Sequence, residues 1–133
     1  MTAIAAATAV ADQVAEGAVF MDEHDPGWWR EDVPRAINLE TLALDQTDRC
    51  VLGQRCPLTV LASRVGREVA ELEYIDFGEA YYAFACHLSG LSGPAFHEWA
   101  VAHGFITADG DAENWAGLTD EWKRAIGDRR AAA

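Results

Sequence analysis

The chain has 133 residues, half of which are hydrophobic, and its formal net charge is −12 at pH 7. A chain of this length and composition buries a core of its own as one domain, which excludes disorder caused by a lack of apolar residues. No stretch approaches about eighteen consecutive apolar residues, so the sequence predicts no membrane span. The acidic charge repels both nucleic-acid phosphate and anionic lipid, which argues against direct binding to either.

The first predicted element is an amphipathic helix over residues 3–23. Apolar residues recur at spacings of three and four, which is the period of an α-helix, while Asp12 and Glu16 lie off this stripe. The sequence Asp25-Pro26-Gly27 is the predicted end of the helix. The stripe is rich in Ala, so another helix can approach it closely, either from the same fold or from a second copy as a homodimer. Its residues are Ile4, Ala7, Ala11, Val14, Ala18 and Met21.

Residues 27–44 are predicted to form an irregular connection, because they sustain no helical period and Pro34 favours extended backbone before it. Asn38 is the predicted cap of a short turn. We expect Trp28 and Trp29 to fold back over an edge of the core, since each removes a large apolar area from water.

The middle of the chain predicts two helical segments. One begins near Cys50, with Thr47 or Asp48 as its cap. The other covers residues 57–72 despite Gly66, because its apolar residues again keep helical spacing. This second stripe consists of Leu58, Leu61, Ala62, Val65, Val69 and Leu72.

Three further helices are predicted before the end of the chain. The first ends at Gly90, and the second begins at Pro94 and ends in a left-handed cap at Gly104, with Phe105 as its hydrophobic contact. The third carries Trp115, Leu118, Trp122 and Ile126 on one face, an ion pair between Asp120 and Arg124, and Arg129 and Arg130 at its C-terminus. The fold class is therefore mainly α, as a single compact domain over residues 1–133 with about five helices and a frayed tail at 131–133.

The three cysteines, Cys50, Cys56 and Cys86, are interpreted as free thiols of a reducing cytosol, because their number is odd and the chain needs no staples. The first twenty residues lack the Lys or Arg of an export signal, which also favours a cytoplasmic protein. Along a continuous helix, thiols six residues apart point away from each other and neither chelate one ion nor pair. Packing in the core is the favoured role of Cys50.

Two chemical alternatives for the cysteines stay open. Cys50 at a helix N-terminus could serve as the nucleophile of a thiol enzyme, and Cys86-His87 could complete a metal-stabilised module with Cys50 and Cys56. The sequence assigns no catalytic residue, no metal ligand set and no cofactor.

Two other metal patterns fail on spacing or composition. His97 and His103 are six residues apart, whereas a zinc-peptidase helix needs its histidines four apart. Residues 109–120 repeat the acids of a calcium loop but have Asn114 where that loop needs glycine, so an acidic helix start competes with the calcium reading.

Several short motifs resemble a group of small, functionally uncharacterised proteins of actinobacteria and their bacteriophages. The resemblance covers most of residues 18–127 in scattered pieces, while Cys56 and residues 66–92 lie outside it. It implies a high-GC Gram-positive host and a phage or prophage gene, but it brings no catalytic residue. The motifs are PGWW at 26–29, INLETLAL at 37–44, CVLGQ at 50–54, AHGF at 102–105 and LTDEWKRAI at 118–126.

The placement of charge suggests a binding function. Eleven acidic residues and no Lys or Arg lie between Arg67 and Lys123. We therefore predict a non-catalytic, phage- or prophage-encoded protein that docks a basic host protein, such as a DNA-binding or defence factor, by imitating phosphate. A solvated face that keeps the protein soluble is the competing interpretation. The preferred contact residues are Glu68, Glu71, Glu73, Asp76 and Glu79.

Overall fold

The computed structural model describes residues 2–46, 49–56, 62–63, 66–72, 82, 84–107 and 111–133, with residues 2–8 described by their backbone alone. These ranges are mainly helical and contain no strand, which confirms the predicted fold class. The helices of these ranges are α1 (Thr2–His24), α2 (Val51–Arg55), α3 (described at 82 and 84–89), α4 (Gly93–Ala102) and α5 (Ala112–Ala132). Residues 62–63 are also helical, and a 3-10 helix at Val69–Glu71 lies between α2 and α3.

Helix α1 confirms the prediction for residues 3–23. Its stripe residues Val14, Ala18 and Met21 are buried. The helix ends at His24, and the chain then turns through Gly27, which has a φ of +79°. The apolar period of this segment therefore gives both the element and the face that it buries.

Helix α1 packs against α4 and α5 at a point where only glycine fits. A Cβ atom at Gly17 would collide with the carbonyl oxygen of His103 and the ring of Trp122. Opposite it, a Cβ atom at Gly104 would lie 2.9 Å from the backbone nitrogen of Val14. The two glycines let the backbones of α1 and of the end of α4 approach each other directly.

The end of α4 is the predicted left-handed cap. Gly104 has a φ of +71°. The N–H of Phe105 donates to the carbonyl of Ala100 at 2.9 Å, and the N–H of Gly104 donates to that of Val101 at 3.1 Å. This pair of bonds is a Schellman motif, and it turns the buried Phe105 into the core.

Aromatic side chains fill the centre of the molecule around Trp122, which is fully buried. Its ring stacks on Phe105 at a centroid distance of 5.3 Å and meets the edge of Trp28 at 5.7 Å. Its Nε1–H donates to the carbonyl of Gly104 at 2.6 Å, so the one polar atom of the ring is satisfied. The burial of Trp28 and the half-burial of Trp29 confirm that this pair covers the core.

Arginines hold the irregular connection between α1 and α2 in place. Arg55 donates two hydrogen bonds to the carboxylate of Asp25, at 2.7 and 3.0 Å, and two more to the carbonyls of Pro34 and Arg35. Arg35 has a φ of +59°, an unfavourable conformation for a residue with a Cβ atom. Its guanidinium donates to the carbonyls of Gly53 and Cys56 at the end of α2. Loop and helix end therefore satisfy each other's polar groups.

The turn predicted at Asn38 is also present. The side-chain Oδ1 of Asn38 accepts a hydrogen bond from the N–H of Glu40 at 2.9 Å. The side-chain amide of Gln54 accepts from the N–H of Asn38 and donates to its carbonyl, which fastens this turn to α2. The short turn is thus capped as the sequence predicts.

The predicted helix over residues 57–72 is wrong at its C-terminal part. Gly66 has a φ of +72°, and the N–H of Arg67 donates to the carbonyl of Ala62 at 2.9 Å, so the chain leaves the helical path at this glycine. The 3-10 helix Val69–Glu71 follows it. The N-terminal part of the prediction, with Leu58, Leu61 and Val65, lies outside the described residues.

Three local predictions also need correction. The cap of α2 is Cys50, whose Sγ accepts from the N–H of Gly53, while Thr47 and Asp48 lie outside the described residues. Arg124 pairs with Glu121 and Asp128 and not with Asp120. Its guanidinium reaches Glu121 one helical turn earlier and Asp128 one turn later. The tail at 131–133 stays helical as far as Ala132.

Candidate binding surface

Two of the five predicted contact acids lie in the described part of the chain. Glu68 precedes the 3-10 helix in extended backbone, with φ of −76° and ψ of 155°, and Glu71 is its last residue. Both side chains are exposed. Glu73, Asp76 and Glu79 lie outside the described residues. We refer to residues 66–72 as the 66–72 segment.

Apolar residues of the 66–72 segment stay outside the core. Val69 is 42% exposed, Ala70 is exposed and Leu72 is half-buried. None of these three belongs to the core cluster or to the partly buried side chains packed on it, within the described residues. Val69 and Leu72 were expected on the buried stripe of a helix, and the turn at Gly66 instead directs them away from that path.

Other acids of the cation-free stretch are also exposed. Glu98 lies on α4, and Glu113 and Asp120 lie on α5. In the part of the chain that the structure describes, these three and Glu68 and Glu71 form no ion pair. These five carboxylates therefore have no ion-pair partner in the described ranges, although Arg67 directly precedes Glu68 and Glu121 of the same stretch pairs with Arg124.

Most described arginines are engaged elsewhere in the molecule. Arg55 pairs with Asp25, Arg129 pairs with Asp22 at 3.0 Å, and Arg30 pairs with Asp32 at 2.9 Å. The hydrogen bonds from Arg30 hold the pKa of the Asp32 carboxyl below its usual range. All three partner acids precede residue 33, so these guanidinium groups compensate the first part of the chain and not the acids that follow Arg67.

Arg130 joins α5 to the early connection and shapes a cleft there. It donates to the carbonyls of Trp29 and Ile37, both at 2.7 Å. An open cleft of about 500 Å³ lies beside it, lined by Glu31, Ala36, Ile37, Asn38, Leu39, Glu40 and Arg130. The sequence predicted Arg130 only as a helix-terminal charge, since no local pattern links it to carbonyls about ninety residues earlier.

Two of the three cysteines, Cys50 and Cys56, lie at the ends of α2 in the described chain. All three are free thiols. Cys50 is 2% exposed and caps α2, and Cys56 follows the last residue of that helix. Burial raises the pKa of the Cys56 thiol, while the nearby Arg35 lowers it by less. Burial therefore keeps Cys56 protonated, which disfavours the thiolate needed by a nucleophile or a metal ligand.

The remaining polar motifs serve helix ends. The Nδ1–H of His103 donates to the carbonyl of Trp99 at 2.8 Å, at the end of α4. Asp111 caps α5 by accepting from the N–H of Glu113 at 2.9 Å. Since α5 is continuous from Ala112, Glu113 and Asp120 lie on a helix and do not wrap one calcium ion. Within the described ranges, no three His, Cys, Asp or Glu residues cluster as a metal site.

We compared the chain with protein-family models, with curated proteins and with solved structures, and none of them matched. The described residues also contain no helix of the length and apolarity that crossing a bilayer requires. The candidate surface is defined by the charge, burial and backbone geometry of this chain. On those grounds the fold is that of a small helical protein with surface carboxylates that lack an ion pair in the described chain.

Proposed function

We propose that this protein binds a basic partner protein through the acids that follow Arg67. The observation that carries the proposal is the separation of charge: Glu68 and Glu71 are exposed without ion pairs in the described chain, while arginines bond to acids and carbonyls elsewhere. Carboxylates without nearby cations attract and orient a cationic surface during encounter.

The partner's chemistry follows from this charge. A surface that binds DNA or RNA presents Lys and Arg side chains spaced to meet phosphate, and spaced carboxylates can occupy the same positions. A DNA-binding or defence protein of a high-GC Gram-positive host is therefore the partner we propose, with the chain acting as a phage-encoded binder. Glu73, Asp76 and Glu79 are proposed as further contacts on charge alone.

The first test compares two neutralised variants that lose equal charge. One carries Glu68→Gln and Glu71→Gln, and the other carries Glu16→Gln and Glu23→Gln on the exposed side of α1. The probe is a synthetic lysine-rich peptide, whose affinity is measured by isothermal titration calorimetry. We expect the first variant to bind about fivefold more weakly and the second to stay close to the parent, because exposed ion pairs act at short range.

Salt provides the second arm of this test. Raising the salt concentration from about 0.1 M to about 0.5 M shortens the screening length from about 10 Å to about 4 Å, so we expect the peptide's affinity to fall steeply. Unchanged affinity across this range would contradict the proposal, and so would equal losses in the two variants. Capture from a host lysate at the same two salt concentrations, followed by mass spectrometry, then identifies the natural partner.

A further inference from the structure

We propose that the 66–72 segment is a docking surface with Val69 as its apolar anchor, and that it binds a partner segment carrying both cationic and apolar side chains. This inference rests on the proposed function for the partner's charge and adds the apolar component. It places the partner's apolar side chain against the 66–72 segment.

The apolar component of the surface is Val69, whose side chain is not buried. Val69 is 42% exposed, and Ala70 beside it is exposed, although the sequence places Val69 in register with residues that would form a buried stripe. One exposed valine is ordinary on a protein surface. Here, however, Val69 lies in sequence between Glu68 and Glu71, whose side chains are both exposed. Apolar anchors surrounded by charged groups are the arrangement by which binding surfaces combine affinity with orientation.

The backbone of the segment has a fixed shape. The turn at Gly66 is closed by the bond from Arg67 to the carbonyl of Ala62. The N–H of Glu71 then donates to the carbonyl of Glu68 at 2.9 Å, and the N–H of Leu72 donates to that of Val69 at 3.3 Å. A surface held in this way loses little conformational entropy on binding.

Charge selects the occupant. A second copy of the chain would bring another net charge of −12 and the same two carboxylates against Glu68 and Glu71, which like-charge repulsion opposes. Anionic lipid and nucleic acid are repelled for the same reason. A cationic protein segment with at least one apolar residue satisfies both the carboxylates and Val69.

The test uses two synthetic peptides of equal length and equal charge. One alternates Lys with Leu and the other alternates Lys with Ser. Each is titrated into the isotope-labelled full chain and followed by NMR chemical shifts. We expect the Leu peptide to bind about fivefold more tightly, because it buries apolar area against Val69, with the largest shift changes in residues 66–72.

A matched pair of valine variants locates the effect. Val69→Ser removes the proposed anchor, whereas Val19→Ser removes a valine on α1 that is somewhat more exposed, at 51% against 42%. The preference for the Leu peptide should disappear in the first variant and persist in the second. Both substitutions are at exposed positions, so the two variants should fold like the parent.

The outcomes separate this inference from the proposed function. If neither peptide binds, the proposed function fails and this inference fails with it. If both bind equally well, or if the preference survives in Val69→Ser, the docking surface is wrong while the acidic binding function stands. Sedimentation of the protein alone is the last arm: a dimer that Val69→Ser abolishes would assign the surface to a second copy and overturn the proposed partner.

Discussion

At the scale of single residues, two cysteines and an arginine lie at the ends of the short helix α2. Cys50 caps one end of α2 and Cys56 follows the other end. Arg35 adopts a left-handed conformation in which its guanidinium reaches the last carbonyls of the same helix. A five-residue helix has too few internal hydrogen bonds to be stable alone, so α2 is stabilised by these end contacts together with the burial of Val51 and Leu52.

The buried thiol of Cys56 should make stability depend on alkaline pH. Burial raises its pKa in the folded state above that of the unfolded chain, so the protonated thiol stabilises the fold fully below the ordinary thiol range. This contribution is lost as the pH rises from about 8 toward the folded-state value. We expect the parent to lose more free energy of unfolding over this range than Cys56→Ala does, as measured by urea denaturation. Parallel curves for the two proteins would contradict the prediction.

At the scale of elements, the connection between α1 and α2 is held by the burial of Trp28, Ile37 and Leu42 in the core and by arginine contacts. Arg55 is the clearest case, because its side chain is mostly buried and its fork bonds to Asp25 and to two carbonyls at once. A connection that is ordered by a few strong polar contacts is sensitive to the shape of the side chain as well as to its charge.

Arg55→Lys should therefore destabilise the protein although it conserves charge. An ammonium group cannot reproduce the paired bonds to Asp25, and we expect the free energy of unfolding to fall by about 1–3 kcal/mol. Arg30→Lys is the matched control, since the pair between Arg30 and Asp32 is exposed and Lys should substitute for it with little change. Chemical denaturation of both variants measures their free energies of unfolding. Equal losses in Arg55→Lys and Arg30→Lys would show that the fork geometry of Arg55 is unimportant.

The elements also show how far the sequence predicts this structure. Helical period alone gave α1, and the glycine that precedes Phe105 gave the end of α4, because both signals are local. The prediction of a helix over residues 57–72 is wrong at its C-terminal part because Val69 and Leu72 keep helical spacing across Gly66. The backbone conformation of this one glycine outweighs the apolar pattern. The roles of Arg55 and Arg130 involve partners far away in sequence, so no local signal announces them.

At the scale of the whole molecule, three helices that are distant in sequence, α1, α4 and α5, meet at one close contact. Gly17 of α1 lies against the end of α4 and the ring of Trp122 on α5. The same place holds the stacked rings that form the centre of the core. Packing at this point is therefore shared by three helices.

Gly17→Ala should be strongly destabilising, and a second glycine in a helix provides the control. A Cβ atom at Gly17 meets backbone and a buried ring that cannot move aside, so we expect a loss of about 3 kcal/mol or more in the free energy of unfolding. At Gly117 on α5 a Cβ atom would enter open space, and Gly117→Ala should add about 0.5–1 kcal/mol through helix propensity. Thermal unfolding of both variants tests the contrast, and a neutral Gly17→Ala would refute the close packing.

The candidate surface was predicted only in part, and the reason again lies in the range of the interactions. The absence of Lys and Arg between Arg67 and Lys123 pointed to Glu68 and Glu71 directly, since composition can be counted along the chain. The exposure of Val69 between them depends on the turn at Gly66 and could not be inferred from a pattern that favoured its burial.

The pairing of α1 with α5 also constrains how the protein is made. During synthesis α1 emerges before α5, the helix against which it packs. The apolar stripe of α1 is therefore not covered by α5 while the ribosome adds the residues between the two helices. The core shared by these two helices can therefore close only after α5 has left the exit tunnel.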